Sequence, residues 1–440
     1  MISRPLLVLA AGCLALPFIL AATEWPWQPD FGWGEPESRR ASILVETESA
    51  EVRVHLVFAA PPDSHPLLHY AEHLAWMNSM GANARDADRH SNAWTSDRAV
   101  SYWLSGAPED LPDVLETLSG VFDPIDLPRE FAEQERNVIL REYERGVAGN
   151  PDALASRELD AVLYEGNAIA ASVIGTPEEI MALDYDEARA LHAVTHRPEG
   201  ATLVIIGDVS EREARRALRK AGWQEPEGGR VELAPPSFDL AAPADTTLRK
   251  TWPKAAPRLL WRRVVTLTEP VQFDLLEAQT ALLRDILDTN LPGGVAGPLR
   301  FDAAVARSFG IWIWPIDEDN VEVRFTAEPD RDVSLTALQA VFEETLAETA
   351  ESGIPEATYS RVLNRFDGFW PDWEDEDDTA RWMADYVLER VSGLREPLSE
   401  LELKRLDPGL SLESTNALLR QIAGEGRTVA AFIGPEDTFE

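Results

Sequence analysis

The chain has few of the residues that form disulfide bonds, and its basic residues, which bind polyanions, are outnumbered by acidic ones. Its only cysteine is Cys13, so no intrachain disulfide is possible and no thiol ligand exists elsewhere. Basic residues number 40 against 77 acidic ones, which gives a formal net charge of −37. This charge argues strongly against nucleic acid as a partner and favours basic peptides over acidic ones, although a salt-adapted or GC-rich source gives the same bias.

The N-terminus carries the long apolar run of the chain. Arg4 precedes the apolar segment Pro5–Ala22, which is typical of a secretory signal peptide or an uncleaved membrane anchor. We therefore expect residues 1–22 to be a signal or anchor, with a possible membrane tether through residues 5–22. Residues 23–40 are rich in Trp, Pro and Gly and are predicted to be a tether. The expected location is exported: periplasmic, or membrane-anchored and facing the periplasm.

The rest of the chain is predicted to form two domains, because 440 residues exceed one ordinary hydrophobic core. A Pro- and Gly-rich linker is predicted over 224–246, between domains at 41–223 and 247–440. Buried-strand runs that end in glycine recur near the end of each half, which indicates two repeats of one topology. The fold class is α+β, with each domain a mainly antiparallel sheet packed with helices.

Alternating apolar residues predict the strands of the first domain. Segments 41–46 and 51–60 are expected to form a hairpin, with one side of the second strand apolar: Val52, Val54, Leu56 and Phe58. The turn at 61–64 is expected to cap the helix that follows it. Two further strands are predicted at 92–96 and 99–105.

The motif that points to chemistry is H-Y-A-E-H at residues 69–73, in a chain with seven histidines. On a helix, His69, Glu72 and His73 share one face. Two imidazoles and an adjacent carboxylate at this spacing are typical of a zinc site that activates water. The alternative is a solvated helix start rich in histidine, since His65 adds a third imidazole one turn earlier.

A second predicted helix, over 128–146, carries two carboxylates on an apolar stripe. Phe131, Glu135, Val138 and Glu142 fall on one side of it. A buried carboxylate is costly unless a cation meets it, and a metal on the opposing helix is one such cation. For this helix taken by itself, ordinary ion pairing with Arg136, Arg141 or Arg145 is the favoured explanation.

Together these segments resemble the insulinase/pitrilysin family of zinc metallopeptidases, in the short two-domain form of mitochondrial processing peptidase subunits and their bacterial relatives. The segments that carry the resemblance are 69–73 (HYAEH), 92–96 (NAWTS), 135–142 (ERNVILRE) and 203–208 (LVIIGD). The resemblance implies Zn²⁺ held by His69, His73 and Glu142, with Glu72 as general base and Glu135 beside the site. It also implies a strand that pairs with an extended peptide substrate through Asn92, Ala93, Trp94 and Thr95.

The second half departs from the family pattern. It contains no histidine, since the last one in the chain is His196. The family's substrate-gripping Arg and Tyr have no counterpart when the chain is aligned on Gly310, which places Ala306 at the Arg position. Arg307 is the neighbouring candidate for substrate binding.

The expected function is a zinc endopeptidase that acts as the catalytic subunit of a heterodimer with a sister chain. The alternative is a non-catalytic scaffold or peptide-binding subunit.

Overall fold

A computed structural model describes residues 42–81, 90–223, 238–242, 244–366 and 370–440. The predicted signal or anchor, the tether and most of the linker lie outside these residues. Among the described helices, none has both the length and the apolar composition needed to cross a membrane.

The first half contains five strands and seven helices within the described residues. In chain order these are β1 (Ser42–Glu46), β2 (Val52–Ala59), α1 (Leu67–Met80), β3 (Ser91–Thr95), β4 (Ala99–Gly106), α2 (Leu111–Ser119), α3 (Arg129–Tyr143), α4 (Pro151–Leu163), α5 (Pro177–Ala182), α6 (Tyr185–Thr195), β5 (Ala201–Gly207) and α7 (Glu211–Lys220).

The second half repeats this order closely. Its elements are β6 (Asp245–Thr251), β7 (Arg258–Thr266), α8 (Phe273–Leu287), β8 (Ala306–Pro315), β9 (Asn320–Pro329), α9 (Leu335–Ser352), α10 (Glu356–Leu363), α11 (Glu376–Ser392), α12 (Glu400–Lys404), α13 (Leu412–Ile422) and β10 (Arg427–Gly434). Because β6 begins at Asp245, the last two residues of the predicted linker belong to a strand.

Each half builds one five-stranded sheet, in the orders β1-β5-β2-β4-β3 and β6-β10-β7-β9-β8. One edge pairing in each sheet is parallel, β1 with β5 and β10 with β6. The other pairings are antiparallel. The predicted α+β class with two repeated, mainly antiparallel sheets is confirmed.

The predicted hairpin between the first two strands is wrong, because β5 lies between β1 and β2. Residues 201–205 of β5 are buried, and a strand buried in this way gains most from a central place with neighbours on both sides. The predicted helix cap is also wrong. The N-cap of α1 is Pro66, whereas the Ser64 hydroxyl donates to the Pro61 carbonyl at 2.6 Å.

The core of the first half lies between its sheet and the helices on one face. The four apolar side chains predicted to share one side of β2 all belong to this core: Val52, Val54, Leu56 and Phe58. α1 packs into the same core through Leu68, Ala71 and Leu74. The sheet therefore provides the platform on which α1 rests.

The two halves are joined by an exchange of helices. α4 of the first half packs on the second sheet, and α11 of the second half packs on the first sheet. Between them, the buried Arg262 donates from Nε to Glu322 and from Nη1 to Asp160 of α4, both at 2.6 Å. Each sheet is therefore covered on its second face by a helix from the other half.

The first testable prediction concerns His55, which is buried on β2 against the ring of Trp103. Burial lowers the pKa of His55 from its ordinary value of 6.5 to about 3. Below pH 6.5 the unfolded chain therefore binds a proton that the folded chain excludes, and stability falls as the pH drops towards 3. We expect His55→Phe to reduce the slope of the unfolding free energy against pH by up to about 1.4 kcal/mol per pH unit.

The measurement is chemical denaturation of both proteins at several values between pH 7.5 and 5. Phenylalanine keeps the ring stacking, so the comparison isolates the protonation. Stability curves that run parallel over this range would contradict the prediction.

Candidate metal centre

The candidate site lies where α1 faces α3. Three features bring them together: the core contacts of α1, the continuous α3 helix, and the Tyr70 hydroxyl, which donates to the Ala132 carbonyl at 2.8 Å. With Tyr70 and Leu74 committed to the core, the helical period turns His69 and His73 towards α3.

Both histidines point a ring nitrogen at one carboxylate oxygen. Glu142 Oε2 lies 3.8 Å from His69 Nε2 and 3.6 Å from His73 Nε2. These distances exceed those of good hydrogen bonds. Donors bound tetrahedrally to one Zn²⁺ at about 2.0–2.1 Å lie about 3.4 Å from each other. The spacing and the two-histidine, one-carboxylate donor set therefore fit a zinc ion.

Glu72 lies beside the same point. Its Oε2 is 3.9 Å from His69 Nε2, and one donor atom each from His69, Glu72 and His73 fall within 4.8 Å of one another. The side chain of Glu72 is 6 % exposed, whereas that of Glu142 is 39 % exposed. Two carboxylates are thus close enough to serve the metal, and they differ in burial.

Glu135 contacts the far side of one histidine. Its Oε2 lies 3.5 Å from His73 Nδ1, and the residue is 4 % exposed. A carboxylate in this place holds the ring and increases its basicity as a ligand. His69 differs, because its Nδ1 is buried with no hydrogen-bond partner in the described part of the chain.

Within the described residues, the ion pairs of Glu135 and Glu142 are with the histidines of α1. Against the effect of burial, His73, His69 and the more distant charge of Arg145 lower the pKa of Glu142. Arg136 instead donates to the carbonyls of Met181 and Leu183.

Burial and the neighbouring charges shift the pKa values of these groups in different directions. Burial raises the pKa of Glu72 to about 7. Burial also lowers the pKa of His69 to about 4, with the charge of His73 as a further cause. For His73, burial is outweighed by Glu135 and Glu142, which raise its pKa to about 10. Three carboxylates therefore surround one protonated ring, and this arrangement favours a cation.

The predicted substrate strand is β3, at the edge of the first sheet. Asn92 is exposed, while Ala93, Trp94 and Thr95 are half-buried. The Thr95 hydroxyl donates to Glu72 Oε2 at 3.3 Å. Sequence reasoning included Thr95 only for its backbone, and no sequence pattern signals its contact with Glu72.

Arg307 lies on β8 of the second sheet and pairs with Glu328 at 2.8 Å. Its side chain is 60 % exposed. Ala306, at the position expected for the family's arginine, is buried in the core of the second half. The described contacts therefore give Arg307 a partner within its own sheet and do not bring it to the histidines.

Comparisons with known proteins place the chain near processing peptidases. No family model matches it. It is 22% identical over 209 residues to a probable mitochondrial-processing peptidase subunit beta of Schizosaccharomyces pombe, covering 46% of this chain and 44% of that protein. It is 23% identical to human cytochrome b-c1 complex subunit 1 over 39% of this chain and 38% of that protein. The matched region thus spans less than half of each relative.

Solved structures match over most of the length. A protease from Helicobacter pylori superposes with a TM-score of 0.70 at 15% identity, covering 90% of this chain and 96% of that one. A peptidase M16 inactive domain from Pseudomonas fluorescens also gives 0.70 at 15% identity, over 93% and 98%. The chain therefore has the two-domain fold of the M16 peptidases, a group with peptidase members and at least one inactive domain.

The second prediction tests the support that Glu135 provides to His73. We expect Glu135→Gln to weaken zinc binding by about 10- to 100-fold, because an amide holds the Nδ1–H of His73 less strongly than a carboxylate does. Competition with a chelating dye measures the dissociation constant. Glu133→Gln, an exposed position on the same helix, is the matched control and should bind zinc as the wild type does. Equal affinities of the two variants would contradict the role given to Glu135.

Proposed function

We propose that this protein is a zinc-dependent endopeptidase. The observation that carries the proposal is the approach of His69 Nε2 and His73 Nε2 to one oxygen of Glu142, with Glu72 adjacent. In this proposal His69, His73 and Glu142 hold the metal. The M16 peptidase fold and the processing-peptidase relatives support it.

The choice between the two carboxylates rests on their contacts. Glu142 lies within 4 Å of the Nε2 atoms of both rings, as a ligand shared with both requires. Within the described residues, the ion pair of Glu72 with these rings is to His69, at 3.9 Å. Its burial raises its pKa to about 7, which suits a group that must both take up and release a proton near neutral pH. We therefore assign Glu142 as ligand and Glu72 as general base.

The chemistry then divides between the metal and the chain. When bound, Zn²⁺ supplies Lewis acidity, which makes a water easier to deprotonate and polarises the peptide carbonyl. Glu72 accepts the proton from the attacking water and delivers it to the nitrogen of the leaving amine. Glu135 keeps His73 in the orientation that presents Nε2 to the centre.

The substrate in this proposal is an extended peptide. As an edge strand beside α1, β3 has main-chain groups that an added peptide strand is able to pair with. Such pairing would run the peptide past Thr95 and Glu72. This places a backbone carbonyl near the group assigned as base, which is what positioning for hydrolysis requires.

A non-catalytic subunit of the same fold is the second candidate. Its support is that the structural matches include an inactive domain and that the relatives include a subunit of the cytochrome b-c1 complex. A scaffold has no need of a carboxylate buried beside two converging histidines. The retained Glu72 therefore favours the enzyme.

The third prediction separates the ligands from the base. We expect about one zinc per chain, lost in His69→Ala, His73→Ala or Glu142→Ala. Glu72→Gln should keep the zinc but lower turnover by about two to four orders of magnitude, because only proton transfer is removed. Metal analysis and hydrolysis of one cationic and one anionic peptide measure the two effects, and Glu133→Gln is again the control.

Two outcomes are decisive against this assignment. A folded but zinc-free Glu72→Gln variant would make Glu72 a ligand. A zinc-loaded wild type that cleaves neither peptide, alone or with its partner, would favour the scaffold.

We also propose that the chain works with a sister subunit. Ala306 is buried and Arg307 is paired with Glu328, so this sheet offers no free arginine at the expected position. The yeast relative is named as one subunit of a processing peptidase, which supports a division of tasks between chains. A symmetric homodimer is the competing arrangement, but it would only duplicate the same two residues.

The fourth prediction is that adding the sister chain raises peptide hydrolysis at least about tenfold over this chain alone, because gripping residues lower the cost of orienting the substrate. The partner sought is a chain of the same fold that lacks H-x-x-E-H and carries the arginine and tyrosine. Activity of the isolated monomer or homodimer that the partner leaves unchanged would show that this chain grips substrate unaided.

A further inference from the structure

Thr95 links the edge strand to the proposed base. It is the last residue of β3, and its Oγ1 donates to Oε2 of Glu72 at 3.3 Å. Glu72 itself is almost wholly buried, at 4 % exposure. A buried carboxylate has few ways to satisfy its charge, so this neighbour from another element matters for its orientation.

The turn after Thr95 holds the hydroxyl in place. Ser96 Oγ accepts hydrogen bonds from the backbone N–H groups of Arg98 and Ala99, at 3.1 and 3.0 Å. The Ser96 N–H donates to the Ala99 carbonyl at 2.8 Å. Threonine is also β-branched, which restricts its χ1 angle. The backbone and the side chain therefore both limit where the Thr95 hydroxyl points.

Glu72 has a competing direction in which to turn. The same oxygen, Oε2, lies 3.9 Å from His69 Nε2, one of the two nitrogens assigned to the metal. Without a donor on the β3 side, the carboxylate would be drawn towards the cation and would become a ligand. A base that binds the metal is no longer free to move a proton.

We propose that Thr95 is a positioning residue, which holds Glu72 on the β3 side of the centre and away from the metal position. The strand proposed to receive the peptide thereby also sets the orientation of the base, so peptide addition and base placement involve the same residue. This inference rests on the proposed function. The 3.3 Å distance is long for a hydroxyl donor, as hydrogen bonds to catalytic groups often are in the absence of substrate.

The experiment is Thr95→Val, which removes the hydroxyl and keeps the shape. We expect kcat to fall about tenfold, with KM changed less than about twofold, because the main-chain groups of β3 are untouched. Zinc content should remain that of the wild type, and Thr95→Ser should restore most of kcat. Thr117→Val is the control for the same chemical change, since Thr117 is half-buried on α2 and its hydroxyl donates to the Asp113 carbonyl.

A double variant provides a signature that a general loss of structure does not produce. If Thr95 acts through Glu72, then adding Thr95→Val to Glu72→Gln leaves the residual rate unchanged. An unchanged kcat in Thr95→Val would overturn the proposal. So would a loss of rate on adding Thr95→Val to Glu72→Gln that equals the loss on adding it to the wild type.

The contact is also testable without catalysis, so that its failure is distinct from failure of the proposed function. Thr95→Val, Glu72→Met and the double variant are compared by chemical denaturation. We expect the two single losses to sum to more than the loss in the double variant, because both remove the same hydrogen bond. Additive losses would overturn the proposal even if the protein is a peptidase, and non-additive losses would support it even if the wild type does not hydrolyse peptides.

Discussion

The constraint on which the structure depends is the gathering of carboxylates around two histidines between α1 and α3. Glu72 and Glu135 are both 4 % exposed, and Glu142 lies within 4 Å of both rings. Like charges at this separation repel each other, and their burial adds a desolvation cost. A cation at the centre offsets both effects, and this is the physical reason to place a metal there.

The rest of the first half keeps the helices that form this centre at a constant separation. The sheet carries α1 on one face, and the hydrogen bond from Tyr70 to the Ala132 carbonyl fixes the distance to α3. α11 covers the other face of the sheet from the second half. The exchange of α4 and α11 therefore makes the half with the candidate metal centre depend on a half that carries no histidine.

The repeated topology shows that the fold by itself does not determine which residues occupy the site. α8 follows two strands just as α1 does, but it contains no histidine. Instead, Glu277, Thr280 and Ala281 of α8 line a cavity of about 720 Å³ beside β8. Within the described part of the chain, the cluster of possible metal ligands lies around His69, Glu72 and His73 of α1. The same framework thus holds a candidate metal centre in one half and an apolar and charged cavity in the other.

Short-range patterns in the sequence were enough to predict much of this protein. Alternation placed Val52, Val54, Leu56 and Phe58 on one side of β2, and the four-residue spacing put His69 and His73 on one face of a helix. Both follow from the side-chain periods of 2.0 residues in a strand and 3.6 residues in a helix, which are local properties of the backbone.

The tertiary structure alone decided the contacts between residues that are far apart in sequence. β5 separates β1 from β2, Glu135 and Glu142 pair with the histidines of α1, Arg307 pairs with Glu328, and Thr95 contacts Glu72. A local pattern specifies which face a side chain occupies, but only the packing of whole elements determines which group it meets there.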